Sequence, residues 1–221
     1  MGHLIALLLA MSGLCVLTGA VPQEKPAGVA PFRILPGRAP EIDGRILDDE
    51  WSDALEVKVT DSCSLRLKHD KSAVYLSYAK FPQEGFACLF VKCGDDVKLL
   101  HASAQLGSAM YVKKDASWNP KSKDYVWRKA DAMWKEEGWK ATVMAPAGQE
   151  FAVSFKTLGI EGDSEATLGF GYVYFEKGSP KTISWPDTKD ACGDSKLLSG
   201  WNPAGLKFDF SKWAVIKPVD K

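Results

Sequence analysis

The sequence predicts an all-β protein, a single antiparallel β-sandwich of jelly-roll or immunoglobulin-like form with one or two short helices. Three observations predict it. Segments rich in Val, Leu, Phe and Tyr recur from Cys63 to Val215 at intervals of about ten residues, a spacing typical of short sandwich strands. Several of them alternate apolar and polar residues, as half-buried strands do. Helical character is confined to two short stretches.

The first twenty residues stand apart from that fold. Leu4 to Val16 is apolar apart from Ser12 and Gly13. It is short of the roughly 20 apolar residues that a bilayer span needs. Thr18-Gly19-Ala20 supplies small residues for cleavage, so residues 1–20 read as a secretory signal peptide. An uncleaved anchor or a lipid anchor on Cys15 is the alternative, although Leu14 is bulky for a lipidation signal. The expected location is secreted, periplasmic or cell-envelope, with no membrane association after cleavage. Residues 21–40 hold Pro22, Pro26, Pro31, Pro36 and Pro40 and read as an extended linker. Residues 41–217 form the predicted domain.

Within that domain, Asp48 to Leu55 predicts one or two helical turns, with Asp48 as cap and Trp51 and Leu55 on one face. Cys63, Leu65 and Leu67 alternate with polar neighbours, and Ala73 to Ala79 is rich in β-formers. Phe86 to Cys93 is apolar on both faces, which predicts a central strand. Further strands are predicted at Val97–His101, Ala109–Val112, Tyr125–Arg128, Trp139–Met144, Phe151–Phe155 and Leu168–Phe175, with Phe208–Val215 closing the sheet. Asp131 to Glu137 predicts the second short helix. Lys113 to Asp124 is polar and turn-rich, so Trp118 within it is either a partner contact or an anchor folded back onto the domain.

Lys plus Arg is 28 and Asp plus Glu is 28, so the formal charge is zero. That excludes a general nucleic-acid binder, which needs a basic excess. Removing residues 1–20 leaves Cys63, Cys88, Cys93 and Cys192. An even count in an exported chain predicts two disulfides, with Cys63–Cys88 and Cys93–Cys192 as the expected pairing. Zinc has no support, since Cys88-x4-Cys93 is not a knuckle spacing and His69 and His101 are the remaining histidines. Catalysis has little support as well. No carboxylate pair is marked out as a glycosidase would need, and Ser154 and Ser184 lack the nucleophile-elbow glycines.

Glu41-Ile42-Asp43-Gly44, the acidic run Asp48-Asp49-Glu50, and Trp51 with Ala54 resemble the opening of the family 9 carbohydrate-binding modules. The likeness continues through Ser64–Asp70, Ala73–Tyr78, Glu150–Phe155, Leu168-Gly169-Phe170, Ile183-Ser184-Trp185 and Trp201–Phe208. It implies a sandwich of the superfamily that also holds the DOMON domains, where some members bind sugars and others haem. For this chain it implies a non-catalytic module that binds a saccharide or polysaccharide, working alone or beside a glycoside hydrolase. Trp201 stands where relatives place a tryptophan that stacks on a pyranose face. Asn202, Trp185, Asp187, Gln83 and Glu84 are the other candidate ligand-binding residues. Relatives carry a second tryptophan opposite, where this chain has Gln83; Phe81 substitutes only if it turns outward.

No cofactor is expected from this reading. A haem held by His101 or Met110 is the alternative, drawn from the haem-binding relatives, and structural calcium at the acidic residues Glu84 and Asp187 is a second. A third alternative is a structural or interaction module that has lost the sugar site. Of the eight tryptophans, Trp51, Trp127, Trp134, Trp139 and Trp213 are expected in the core.

Overall fold

The computed structural model describes residues 30–82, 85–143, 148–186 and 203–220. Two sheets face each other. The larger contains β1 (Phe32–Ile34), β5 (Gly85–Cys93), β6 (Asp96–Ala102), β7 (Leu106–Lys114), β8 (Ser117–Pro120), β9 (Val126–Arg128), β12 (Ala166–Glu176), β13 (Ser179–Trp185) and β14 (Ala214–Pro218). Its central order is β1-β14-β12-β5-β6-β7-β8, with β13 added to β12 and β9 to β7. The smaller sheet contains β2 (Leu55–Lys58), β3 (Ser64–His69), β4 (Ala73–Ala79), β10 (Trp139–Ala141) and β11 (Gly148–Ser154), in the order β10-β11-β4-β3-β2. Pairing is antiparallel except between β1 and β14. The sandwich class expected from the sequence is the one observed.

Period-two alternation puts one face of each sheet into the shared core. Leu65, Leu67, Leu76, Phe151 and Val153 of the smaller sheet meet Leu89, Val91, Leu100, Leu168 and Phe170 of the larger. The larger sheet is apolar on its outer face too, where Phe90, Leu99 and Tyr111 lie under Leu206, Phe208 and Trp213. This second cluster explains why β5 reads as apolar on both faces. The C-terminal segment covers it with a short 3-10 turn at Phe210–Lys212, and the closing strand is therefore Ala214–Pro218 rather than Phe208–Val215.

Other differences have similar causes. Phe32–Ile34, expected in the linker, is a strand, because Ile34 is fully buried and its backbone pairs with β14. Lys113–Asp124 is not a bare loop. Ser117–Pro120 forms β8, and Trp118 is buried against Phe208 and Phe210, which makes it a folded-back anchor. Trp127, expected in the core, is 39% exposed. Trp134 is half-buried on α2 (Ala130–Glu137), whereas Trp51, Trp139 and Trp213 are buried as expected.

The opening motif acts as a clasp on the outer face of the smaller sheet. Glu150, wholly buried on β11, accepts from the Gly44 and Asp43 backbone N–H groups at 2.8 and 3.2 Å through Oε2. Its Oε1 accepts from the Trp51 indole Nε1–H at 3.1 Å. Gly44 has φ +88°, a conformation glycine adopts without steric cost. Trp51, on the short helix α1 (Asp48–Trp51), covers Ala73, Tyr75 and Ala152. Buried Lys68 lies 5.1 Å from the Trp51 ring centroid, and its Nζ donates to Asp53 Oδ1 at 2.9 Å and to the Glu50 carbonyl. The resemblance motif is thus a structural lock rather than an exposed surface.

The expected Cys63–Cys88 disulfide is absent. Cys63 precedes β3 in the smaller sheet, and its thiol donates to the Lys80 carbonyl at 3.2 Å. Cys88 lies on the far face of the larger sheet, with Sγ 3.6 Å from His101 Nδ1. Cys63, Cys88 and Cys93 form no disulfide among the described residues, and Cys192 lies outside them. Thiol titration of the denatured, unreduced protein is expected to detect Cys63, Cys88 and Cys93. Peptide mapping that recovered any of the three in a disulfide would contradict this.

Candidate functional site

The expected ligand-binding residues separate into two groups. Gln83, Glu84, Asp187, Trp201 and Asn202 lie outside the described residues. Trp185 is described. It ends β13 opposite Phe170, packs its ring 5.2 Å from that of Phe32, and is only 5% exposed. Its indole therefore forms a wall and not a broad stacking platform.

That wall borders a cleft. The edge of β13 away from β12 passes the end of β2, and the space between them holds about 460 Å³. Val59 and Thr60 line one side; Thr182, Ile183, Ser184, Trp185 and Pro186 line the other. The alternation along β13 accounts for the composition. Ile183 and Trp185 share a face with Tyr172 and Phe170 of β12, which leaves Thr182 and Ser184 on the opposite face. The cleft therefore wraps the edge of β13: Thr60, Thr182 and Ser184 bring three hydroxyls to it, and the nearly buried Trp185 borders it from the core-facing side, with Pro186 at its end. A hydroxyl both donates and accepts, and such a mixture of apolar wall and hydroxyl groups matches a pyranose, whose C–H faces are apolar and whose rim is polar.

The floor of this end of the sandwich is aromatic. Phe81 contacts Tyr78, Phe170 and Tyr172 with ring centroids 4.7, 5.9 and 5.2 Å away. It is turned inward and does not replace the second tryptophan of the relatives. The Tyr172 hydroxyl donates to the Pro82 carbonyl at 2.6 Å. Burial raises the pKa of Tyr172, so it stays protonated and keeps the start of the β4–β5 loop tied to β12. Tyr78, pushed far up by burial, donates to Gln149.

The surroundings of His101 do not fit a haem ligand, and His101 and Met110 lie on opposite faces of the sheet. His101 pairs with Gly107 across β6 and β7, so the side chains of Leu106 and Met110 project from the opposite face. The His101 ring is enclosed by Phe86, Tyr125 and Trp127 at 5.0, 5.5 and 5.7 Å and is 2% exposed, which leaves no space for a macrocycle. Among the described residues no three His, Cys, Asp or Glu side chains are grouped as a metal site.

No family model and no curated protein matches this chain. Three solved structures are similar to it in fold. A presumed carbohydrate-binding protein from Bacteroides uniformis ATCC 8492 is 8% identical, with a TM-score of 0.46 over 85% of this chain and 97% of its own. A family 9 carbohydrate-binding module from Caldicellulosiruptor kristjanssonii in complex with cellotriose is 12% identical, with a TM-score of 0.47 over 87% and 95%. The structure of such a module from the same organism with glucose is 13% identical, with a TM-score of 0.42 over 86% and 96%.

Sequence reasoning missed Val59, Thr60, Thr182, Ile183 and Ser184 as residues of this cleft. The signal for Thr182 was present, since Thr182-Ile183-Ser184-Trp185 alternates hydroxyl and apolar residues. Thr60 carries no such signal; it reaches the cleft only because β2 ends beside β13.

Proposed function

We propose that this chain is a non-catalytic saccharide-binding module whose ligand enters the cleft between Thr60 and β13. The observation that carries the reading is the set of three hydroxyl-bearing residues, Thr60, Thr182 and Ser184, lining a cleft of about 460 Å³ that Trp185 and Pro186 border. That volume takes one or two pyranose rings, at the lower end of the range for small-molecule sites. Asp187 follows Pro186 directly in the chain, and Trp201 and Asn202 lie in the same connection to the C-terminal segment. In this reading Trp201 supplies the stacking face, on one side of the sugar only, because Phe81, half-buried, packs inward against Phe170 and Tyr172. Neutral net charge suits an uncharged ligand.

A glycan array identifies the sugar, and calorimetry with cellotriose and glucose gives its strength. Trp201→Ala and the double variant Thr182→Val/Ser184→Ala are each expected to weaken binding about tenfold. The loss of one or two hydrogen bonds at about 0.5–1.5 kcal/mol each, or of a stacked ring, has that size. Thr182 and Ser184 are half-buried at a sheet edge, so the double variant is expected to fold. An array with no retained glycan would sink the proposal.

A further inference from the structure

The cleft between Thr60 and β13 has walls that belong to different sheets. Thr60 follows β2 of the smaller sheet, and β13 is part of the larger. Among the described residues no ladder joins β2 to β13, so backbone pairing does not fix the width between them.

A chain of contacts does run from one wall to the other, behind the lining. It starts in the β2–β3 turn. Thr60 Oγ1 accepts from the Cys63 and Ser62 backbone N–H groups at 3.1 and 3.3 Å. The Cys63 carbonyl accepts in turn from the Val59 and Thr60 N–H groups at 2.9 and 3.1 Å. The turn is thus closed on Cys63, whose thiol donates to the Lys80 carbonyl at 3.2 Å. Lys80 has φ +62°, a conformation uncommon for a residue that bears a Cβ, and the bond from Cys63 fixes where its carbonyl points. After Phe81, the Pro82 carbonyl accepts from the Tyr172 hydroxyl at 2.6 Å. Tyr172 stands on β12 directly opposite Ile183 of β13, in the second wall.

The middle of this chain is held firmly. Phe81 is wedged against Tyr78, Phe170 and Tyr172. Gly85 makes room for the Tyr172 ring, since an added Cβ there would collide with its Cζ and hydroxyl oxygen. Cys63 and Tyr172 are both buried and neither lines the cleft, so both donors are shielded from water.

The turn also gives the Thr60 hydroxyl a direction. A hydroxyl oxygen has two acceptor lone pairs, and the two N–H groups occupy both. The Thr60 O–H is left to donate. Ser62 Oγ lies 3.5 Å away, longer than the roughly 2.7–2.8 Å of an ordinary O–H···O bond. A saccharide oxygen at ordinary distance accepts that bond better. We propose that Cys63 and Tyr172 are positioning residues of the cleft: through Lys80–Pro82 they brace the two sheets, set the spacing between Thr60 and β13, and aim the Thr60 hydroxyl as a donor. The inference rests on the saccharide reading of the cleft, but the brace can be read without a ligand.

The test combines calorimetry, using cellotriose or the glycan that the array retains, with NMR order parameters of Thr60 in the ligand-free protein. Cys63→Ala and Tyr172→Phe are each expected to weaken binding about three- to tenfold. Links in series fail together, so the double variant is expected to match the weaker-binding single variant within about twofold. Cys63→Ser keeps a donor for the Lys80 carbonyl and is expected to bind within about twofold of wild type. Tyr172 and Thr60 lie in different sheets, so lower Thr60 order parameters in Tyr172→Phe report the brace and not local damage. Tyr172→Phe keeps the ring and Cys63→Ser the size, so the test stands if Cys63→Ala fails to fold. Thr60 order parameters unchanged in Tyr172→Phe, or losses that multiply in the double variant, would overturn the brace. Affinity unchanged in both single variants would overturn the positioning role. A wild type that retains no glycan on the array counts against the saccharide reading instead, and the Thr60 order parameters then decide the brace.

Discussion

Glu150→Ala is expected to lower the unfolding free energy by about 3–5 kcal/mol, measured by urea denaturation at pH 7. The substitution leaves the Gly44 and Asp43 N–H groups and the Trp51 Nε1–H without their acceptor. A buried donor left unsatisfied costs about 1–3 kcal/mol, and water entering the truncated site recovers part of the sum for three. The position is intolerant because the carboxylate bridges elements far apart in sequence, from the Asp43–Gly44 turn to β11. Glu150→Gln tests the account. Its single carbonyl oxygen serves one side of the bridge, while its amide N–H meets a donor on the other. It also removes a charge that burial disfavours, for burial raises the Glu150 pKa against the lowering by Gly44, Trp51 and Asp43. A loss of about 1–2 kcal/mol is therefore expected for Gln. A loss below about 1 kcal/mol for Ala would show that the clasp does not hold the N-terminal segment to the sheet.

The clasp also shows what the sequence could and could not convey. The Ile-Asp-Gly, Trp and Ala spacing was legible as a motif, and Glu150 stood in the matched segment before Phe151. Their joining by one carboxylate was not legible, because periodicity reports which face a residue takes and not which distant backbone it meets. The strands Ala73–Ala79, Gly85–Cys93 and Asp96–Ala102 were plain, since alternation or continuous apolarity marks them. β1 was hidden by its prolines, and β8 by a lysine-rich context, although Trp118 buries itself against the C-terminal segment. The pairing of Cys63 with Cys88 failed because Cys88 points to the outer face of the larger sheet, away from the sheet that holds Cys63, and a count of cysteines does not reveal which face each takes. Trp127 misled for a related reason. Its strand neighbours predicted a core position, but β9 is three residues at a sheet edge, exposed along its whole length.

His101→Phe is expected to flatten the loss of stability between pH 6.5 and 4. His101 is buried among Phe86, Tyr125, Trp127 and Cys88, and burial pushes its pKa from 6.5 down to about 4. The folded state therefore binds fewer protons than the unfolded state across that interval, and stability rises with pH there. His101's contribution is fully present above pH 6.5 and is lost as the pH falls through the window. At 1.36 kcal/mol per pKa unit the interval amounts to about 3 kcal/mol. Other groups act elsewhere or with opposite sign. Asp70 is held below 3.8 by hydrogen bonds from Tyr75, Ser72 and Ala73 that outweigh its burial, so its contribution is lost at lower pH. Glu150, raised above 4.5, favours the folded state at low pH and loses that contribution as the pH rises from its unfolded value. Its slope opposes that of His101, so the wild-type curve alone understates the histidine. The difference between wild type and His101→Phe isolates it, because Glu150 and Asp70 titrate in both proteins. Urea midpoints from pH 4 to 7.5 supply the comparison, and the His101 ring resonances report its titration directly. Parallel curves for the two proteins, or a resonance titrating near 6.5 in the folded state, would refute the buried neutral histidine.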